Sequence, residues 1–302
     1  MRAPLPIVDG VSPCSRWLPP GPWETVLDFL TERFPKVETR TWLSRMAKGE
    51  LVDETGRRLN AESAYRAGAC VFYYRELEWE ARIPFAELVL YQDEHILVAD
   101  KPHFLPVIPA GRFLHESLLV RLKKTGKREQ LVPVHRLDRE TAGVVLFSVN
   151  SATRDHYASL FRDREVKKVY EALAPPQTDL IFPLTRRSRI VRGEPFFRMK
   201  EIEGIANSET YIAVAPAGGP VDGATLYRLQ PVTGKKHQLR LHLSALGIPI
   251  VNDRLYPEIS FAKPANNQDD FANPLKLLAK SISFRDPLTG QEHYFESDRK
   301  LA

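Results

Sequence analysis

The sequence predicts an α+β fold: a mixed, largely antiparallel sheet flanked by helices, preceded by a small helix-helix-strand module. Three observations carry this. Strand-like apolar runs and stretches with three- and four-residue helical spacing are intermixed without the regular alternation of a repeating βαβ wind. Residues 143–149 (GVVLFSV) are almost wholly apolar over a strand's length, the pattern of a strand covered on both faces. The segment LVLYQDEHILVADKP holds two short apolar runs around the turn residues 92–94, as a hairpin stopped by Pro102 would.

Residues 1–22 are rich in proline and show no period, which predicts an extended N-terminal arm. From Trp23, residues Val26, Leu27, Leu30 and Phe34 recur at helical spacing, and residues 41–46 begin a second short helix. The turn-rich DETGRRLNAES leads to an apolar strand over 70–74, so a small module occupies 23–80 and a larger domain 81–302. In the larger domain the hairpin is followed by a helix over about 116–124, closed by Thr125 and Gly126. After the strand at 143–149, Asn150 and Ser151 are placed to cap a helix with Tyr157, Leu160 and Phe161 on one face. Residues 168–173 and 224–232 read as strands. Residues 257–274, containing AKPANNQDD, lack a period and read as an exposed loop. No internal repeat is present.

The 302 residues, 43% hydrophobic, suffice for one large core and a small companion. Lys and Arg number 43 against 38 Asp and Glu, a formal charge of +5, which permits contact with a phosphate backbone without establishing it. Cys14 and Cys70 are too few for a zinc site and too far apart for a redox pair, so they read as reduced, cytoplasmic thiols. No leader-like N-terminus is apparent, and no run approaches the roughly 18 apolar residues of a membrane span. A phosphate-cradling glycine loop and a dinucleotide fingerprint are both missing.

Two segments carry chemistry. VHRLDRETAG, residues 134–143, places His135, Arg136, Asp138, Arg139 and Glu140 within six positions directly before the buried strand. A carboxylate flanked by guanidinium groups stays ionised and serves as nucleophile or base rather than acid. Taken alone, such a cluster is more often a solvated loop. The second, TGKKHQLRLH followed by GIPIVNDRLYP, sets Leu239, Leu243 and Leu246 on one helical face with Lys236 and Arg240 on another. A strand alternating through Leu239, Leu241 and Leu243 satisfies the same residues.

In combination, HRLDRETAG, then KKVYEA, then TGKKHQLRLH with GIPIVNDRLYP, preceded by YQDEHILVADKP, closely resemble the RluA family of pseudouridine synthases over roughly residues 86–256. The resemblance implies the pseudouridine synthase catalytic fold and an enzyme that isomerises specific uridines in ribosomal or transfer RNA. It implies Asp138 as the catalytic residue, Tyr170 as the residue that stacks on the base and accepts a proton, and Arg240 as the partner of Asp138. Arg136 would fill the space left by a flipped nucleotide, and Arg139, Lys235, Lys236 and His237 would contact RNA. Isomerisation involves no redox or phosphoryl chemistry, so no metal or organic cofactor is expected, and the protein is expected to act as a cytoplasmic monomer. Lys235 and Lys236 stand where the family has Arg and a hydroxyl residue, and Leu278 and Asp286 replace two histidines usual near the C-terminus. Residues 23–80 resemble a divergent S4-type RNA-binding module.

Two other readings compete. A non-catalytic RNA-binding or ribosome-assembly protein on the same fold has no reason to keep Asp138, Tyr170 and Arg240 together. A glycoside or nucleoside hydrolase would use Asp138 and Glu140 as paired carboxylates, but no sugar-binding aromatic platform lies near them in the sequence.

Overall fold

The computed structural model describes residues 3–126, 128–215, 223–260 and 271–301. It divides into two compact units, Met1–Glu80 with Val120–Glu129, and Ala81–Leu119 with Gln130–Ala302. The sequence boundary near residue 80 did not anticipate that 120–129 belongs with the N-terminal unit.

In the N-terminal unit the chain forms β1 (Cys14–Trp17), α1 (Val26–Arg33), α2 (Thr39–Lys48), β2 (Leu51–Asp53) and β3 (Cys70–Tyr73). The strands make an antiparallel sheet in the order β1-β3-β2. A capping box starts α1: the Asp28 N–H donates to Thr25 Oγ1 at 3.1 Å, and the Thr25 N–H donates to Asp28 Oδ2 at 3.0 Å. Gly49, at φ 72, ends α2. Phe29, Leu30, Trp42, Leu51 and Val71 form the core. The expected extended arm needs correction, because Cys14–Trp17 pairs with β3 and Leu18 is buried in this core. Five residues between Pro13 and Pro19 are too short a run to show a period. The register sets Cys14 against Tyr73 and Trp17 against Cys70, so the two thiols lie at opposite ends of the strand pair.

The second unit holds β4 (Leu88–Gln92), β5 (Ile96–Lys101) and the start of α3 (Leu118–Gly126), which runs into the N-terminal unit. It continues with β6 (Val132–Pro133), β7 (Ala142–Ser148), α4 (Arg154–Arg162), β8 (Lys167–Ala174), β9 (Leu184–Arg192) and β10 (Met199–Ile202). Then come β11 (Ser208–Val214), β12 (Thr225–Pro231), α5 (Gln238–Ala245), β13 (Leu277–Arg285) and β14 (Glu292–Glu296). Eleven strands join in one sheet, ordered β10-β9-β11-β12-β8-β13-β7-β5-β4, with β14 paired to β13 and β6 to β7. All of these pairings are antiparallel except β13 with β7. That is the mixed, largely antiparallel sheet the sequence predicts.

Two helices cover parts of this sheet. Leu239 and Leu243 of α5 pack on Ala172, Ile212, Tyr227 and Leu229, while Tyr157 and Leu160 of α4 pack on Ile96, Val98, Val144 and Leu146. Residues 238–243 of α5 are all buried, which settles helix over strand and leaves no solvated basic face around Arg240. Gly143, at φ 113, lies where β7 meets β13, and a Cβ there would strike the Ala279 backbone. The helix after β7 is entered at Thr153 without a side-chain cap, and Asn150 Oδ1 instead accepts the Ala152 N–H at 2.9 Å. Of the loop expected over 257–274, residues 261–270 lie outside the described residues. Leu278, in a family histidine position, is wholly buried, and Asp286, in the other, is buried and accepts from the Tyr157 hydroxyl at 2.8 Å.

Candidate active site

Asp138 lies in the loop between β6 and β7, and that loop is fastened on both sides. Before it, the Val134 N–H donates to Leu146 O at 2.9 Å, and His135 Nε2 accepts the Leu146 N–H at 3.0 Å. The His135 ring stacks on Phe161 of α4, with centroids 4.5 Å apart. Burial, and then the Lys168 charge, pulls His135 down to about 3, which keeps Nε2 free to accept. After Asp138, the Lys101 ammonium donates to the carbonyls of Arg139 (3.1 Å), Pro102 (3.0 Å) and Leu105 (2.7 Å). His103 Nδ1 donates to the Glu140 carbonyl at 2.6 Å. The two carbonyls that follow Asp138 are therefore held by side chains at and just beyond the end of β5. Lys101 is fully buried, and that burial lowers its ammonium to about 7 despite the nearby Glu140 and Asp138 carboxylates.

The Asp138 side chain is 28% exposed, with Oδ2 3.6 Å from Arg240 Nη1 and 3.8 Å from His237 Nε2. Both distances exceed a hydrogen bond, so the carboxylate sits in a positive field with its lone pairs open. Arg240, 2% exposed, makes its hydrogen bonds elsewhere: Nε to Asp253 Oδ2 at 2.8 Å and Nη2 to Asp253 Oδ1 at 2.6 Å. Asp253 is wholly buried and also accepts the N–H groups of Leu255 and Tyr256. Arg240 Nη1 is left buried without a hydrogen-bond partner among the described residues, on the Asp138 side. Burial works against the Arg240 charge, but the Asp253 hydrogen bonds and charge, then Asp138 and Glu140, raise its pKa above the ordinary value. The expected Arg240–Asp138 proximity is present. The hydrogen-bonded partner is Asp253, which the sequence reading quoted within GIPIVNDRLYP but did not single out.

Tyr170 projects from β8 on the face shared with Leu229 and Ala279 and lines the same cleft as Asp138. Burial, then the Asp138 charge, raises its pKa, so it stays a phenol. Of the residues grouped as RNA contacts, Arg136, Lys235 and Lys236 are exposed and line the cleft, with Lys236 Nζ donating to Phe197 O at 2.9 Å. Arg139 turns partly inward: Nε lies 3.2 Å from Glu140 Oε1 and the guanidinium covers the Phe113 ring at 4.9 Å. His237 also lines the cleft but is less accessible. It is 8% exposed, in the left-handed region (φ 57) at the start of α5, with Nδ1 hydrogen-bonded to Tyr256 OH at 3.0 Å, so it lies inside the site.

The loop before α5 is held by Gln238, whose Oε1 accepts from Thr233 Oγ1 and the Lys235 N–H while Nε2 donates to Glu209 O and Thr210 Oγ1. Sequence reasoning missed Lys101, Asp253 and Gln238. For Asp253 the available signal was a lone carboxylate between Asn252 and Arg254, directly after the apolar IPIV and within the same family segment as Arg240. The resulting cleft, about 1090 Å³, has Asp138 and Glu140 among eight Lys and Arg side chains, with Arg136, Arg164, Lys168 and Arg240 among them. An open carboxylate, a phenol and a cationic wall in one cleft suit chemistry on a polyanion.

The family model described as RNA pseudouridylate synthase matches residues 95–245, the stretch that carries Asp138, Tyr170 and Arg240. The chain belongs to the RNA pseudouridine synthases of the RluA type. It is 32% identical over 222 residues to the dual-specificity RNA pseudouridine synthase RluA of Pasteurella multocida, covering 68% of this chain and 90% of that protein. An RNA pseudouridine synthase of Synechocystis is 29% identical over 235 residues, 76% of this chain and 79% of that one. Among solved structures, human RNA pseudouridylate synthase domain containing 1 superposes with a TM-score of 0.56 at 24% identity over 73% of this chain and 86% of that one, which shows the shared fold.

Proposed function

We propose that this enzyme converts uridine to pseudouridine within ribosomal or transfer RNA, with Asp138 as its catalytic carboxylate. The observation that carries this reading is the open Asp138 carboxylate beside a guanidinium already locked by another acid. In the reaction the bond from ribose carbon 1′ to N1 breaks, the uracil turns, and carbon 5 bonds to carbon 1′. The carbon 5 proton leaves and N1 takes one up, so the reaction is a balanced isomerisation without a redox change. Asp138 acts at the ribose, by attack on carbon 1′ or removal of a carbon 2′ proton; both need an ionised oxygen free of hydrogen bonds. Arg240 Nη1 holds that charge. Tyr170 stacks on the base and, being a phenol, accepts the carbon 5 proton while handing on its own, directly or through water. Arg136 fills the space of the flipped nucleotide, and Lys235 and Lys236 contact the backbone.

The hydrolase reading is disfavoured because it requires one carboxylic acid. Although burial opposes it, Arg139 and Arg240 hold Glu140 below the usual carboxylate range, so Glu140 is an anion. The protein acts as a cytoplasmic monomer without metal or organic cofactor, and the N-terminal unit adds a second RNA contact. No helix among the described residues is long and apolar enough to cross a membrane.

Mapping pseudouridine across cellular RNA with and without the gene identifies the target. Purified wild type acting on total RNA forms pseudouridine, whereas Asp138→Asn binds RNA but does not turn over. Turnover of the variant within about tenfold of wild type removes Asp138 from the mechanism.

A further inference from the structure

One wall of the cleft carries cations for which the catalytic chemistry has no use. Lys168 lies two residues before Tyr170 on β8, on the same face and about 7 Å away along the strand. Its ammonium is half-buried and, among the described residues, has no hydrogen bond and no ion pair. The neighbours that face it are Arg164, another cation, and His135, held neutral by burial and by Lys168 itself. No carboxylate among the described residues forms an ion pair with it. A shielded cation without a counter-charge is unfavourable in the free protein and becomes favourable when an anion arrives.

Arg164 supplies an independent observation. The chain leaves α4 through a turn in which the Glu165 N–H donates to Leu160 O at 2.8 Å, with Arg164 at φ 63. This left-handed position past a helix end is ordinarily glycine, and a long β-carbon-bearing cation there is held in an uncommon conformation that projects it from the turn. Arg164 lines the cleft with Lys168. The carboxylate that feels its charge, Glu209, is already bound by two Arg187 donors at 3.0 and 3.2 Å.

We propose that Lys168 and Arg164 form a phosphodiester-binding subsite that takes the RNA backbone beside the target nucleotide. The subsite rests on the RNA-isomerase reading and adds to it a fixed backbone register: Tyr170 meets the base while the cations two residues earlier and at the end of α4 meet an adjoining phosphate. Its chemistry is that of a monoanionic phosphate diester, so free inorganic phosphate competes only weakly while single-stranded RNA binds.

The test uses a short 5′-labelled oligouridylate bound to the full-length protein at increasing KCl. Lys168→Met keeps the aliphatic stem, and together with Arg164→Met it reports the charge alone. Each variant is expected to weaken binding and to lower the magnitude of the logarithmic salt slope by about 1, while Lys168→Arg restores it. The exposed Arg228→Met, on the sheet's other face, is expected to leave the slope unchanged. At saturating RNA, the single-turnover rate of Lys168→Met returns to the wild-type value. An unchanged salt slope in Lys168→Met overturns the subsite, as does a rate defect that persists at saturation, since that places Lys168 in the chemistry. Inorganic phosphate displacing the RNA stoichiometrically overturns it too, by showing a free-anion site. Wild-type protein that binds with the full slope yet forms no pseudouridine on any RNA overturns the isomerase reading and leaves the subsite standing.

Discussion

A guanidinium can serve two carboxylates only if its donors are divided, and Arg240 divides them unequally: Nε and Nη2 to Asp253, Nη1 toward Asp138. The division keeps Arg240 oriented without drawing Asp138 into a hydrogen bond that the reaction would have to break. Asp253→Asn keeps the shape but gives up the charge and one bidentate acceptor. The expected result is a chemical step slower by about tenfold to a hundredfold, with RNA affinity unchanged and partial recovery in Asp253→Glu. A lower rate with equally lower RNA affinity in a stably folded variant would mean that Asp253 only supports the fold. Arg240→Met is harsher. It strands Asp253 in the interior and should cost about 3–5 kcal/mol of stability, read from urea melts. Asp138, Tyr170 and Arg240 were legible as a set because their flanking segments follow a family signature in order. The link from Arg240 to Asp253 was not, because it depends on the chain turning back after α5.

Among the elements, β5 contributes most to the site through residues that hydropathy reads as its polar end. Asp100 and Lys101 are buried, Lys101 under the Asp138 loop and Asp100 accepting from Ser297 Oγ and Arg299 Nε. Lys101→Met fills the space but leaves the carbonyls of Pro102, Leu105 and Arg139 without their donor. The expected loss is at least about 1–3 kcal/mol, together with a fall in kcat as the loop loosens. Equal stability and turnover in this variant would show that His103 suffices to hold the loop after Asp138. The central strands and α4 were legible from apolar runs and helical spacing, whereas α5 was left between helix and strand because Leu239 and Leu243 fit both periods. β9 to β11 and the β13–β14 hairpin were not. β9 carries Arg186, Arg187, Arg189 and Arg192 in nine residues, two on each face, so neither face shows a clean apolar alternation. Only pairing with β10 and β11 makes it a strand.

Across the larger unit, three histidines on separate elements are held neutral by shielding. Burial lowers His103 to about 4, His135 to about 3 and His242 to about 4, each below the ordinary 6.5. His103 and His135 fasten the two sides of the Asp138 loop, and His242, wholly buried in α5, bonds to Thr210 at Nδ1 and to Ser188 and Ser208 at Nε2. The α+β class was readable from the sequence, but this shared dependence was not, since each imidazole becomes shielded only when the sheet closes around it. The sign follows from the depressed values. Between pH 6.5 and about 4 the unfolded chain binds protons that these native imidazoles refuse, so their contribution is complete above pH 6.5 and is lost as pH falls through that window. With all three titrating together, the loss approaches about 4 kcal/mol per pH unit at its steepest. The melting temperature should therefore hold steady just above pH 6.5 and drop steeply below it, and His242→Gln, which keeps hydrogen-bonding capacity without titrating, should make the drop shallower by about a third. A melting temperature that stays flat down to pH 4.5 would show that these imidazoles already accept protons in the folded protein, and the neutral anchoring of the Asp138 loop would have to be abandoned.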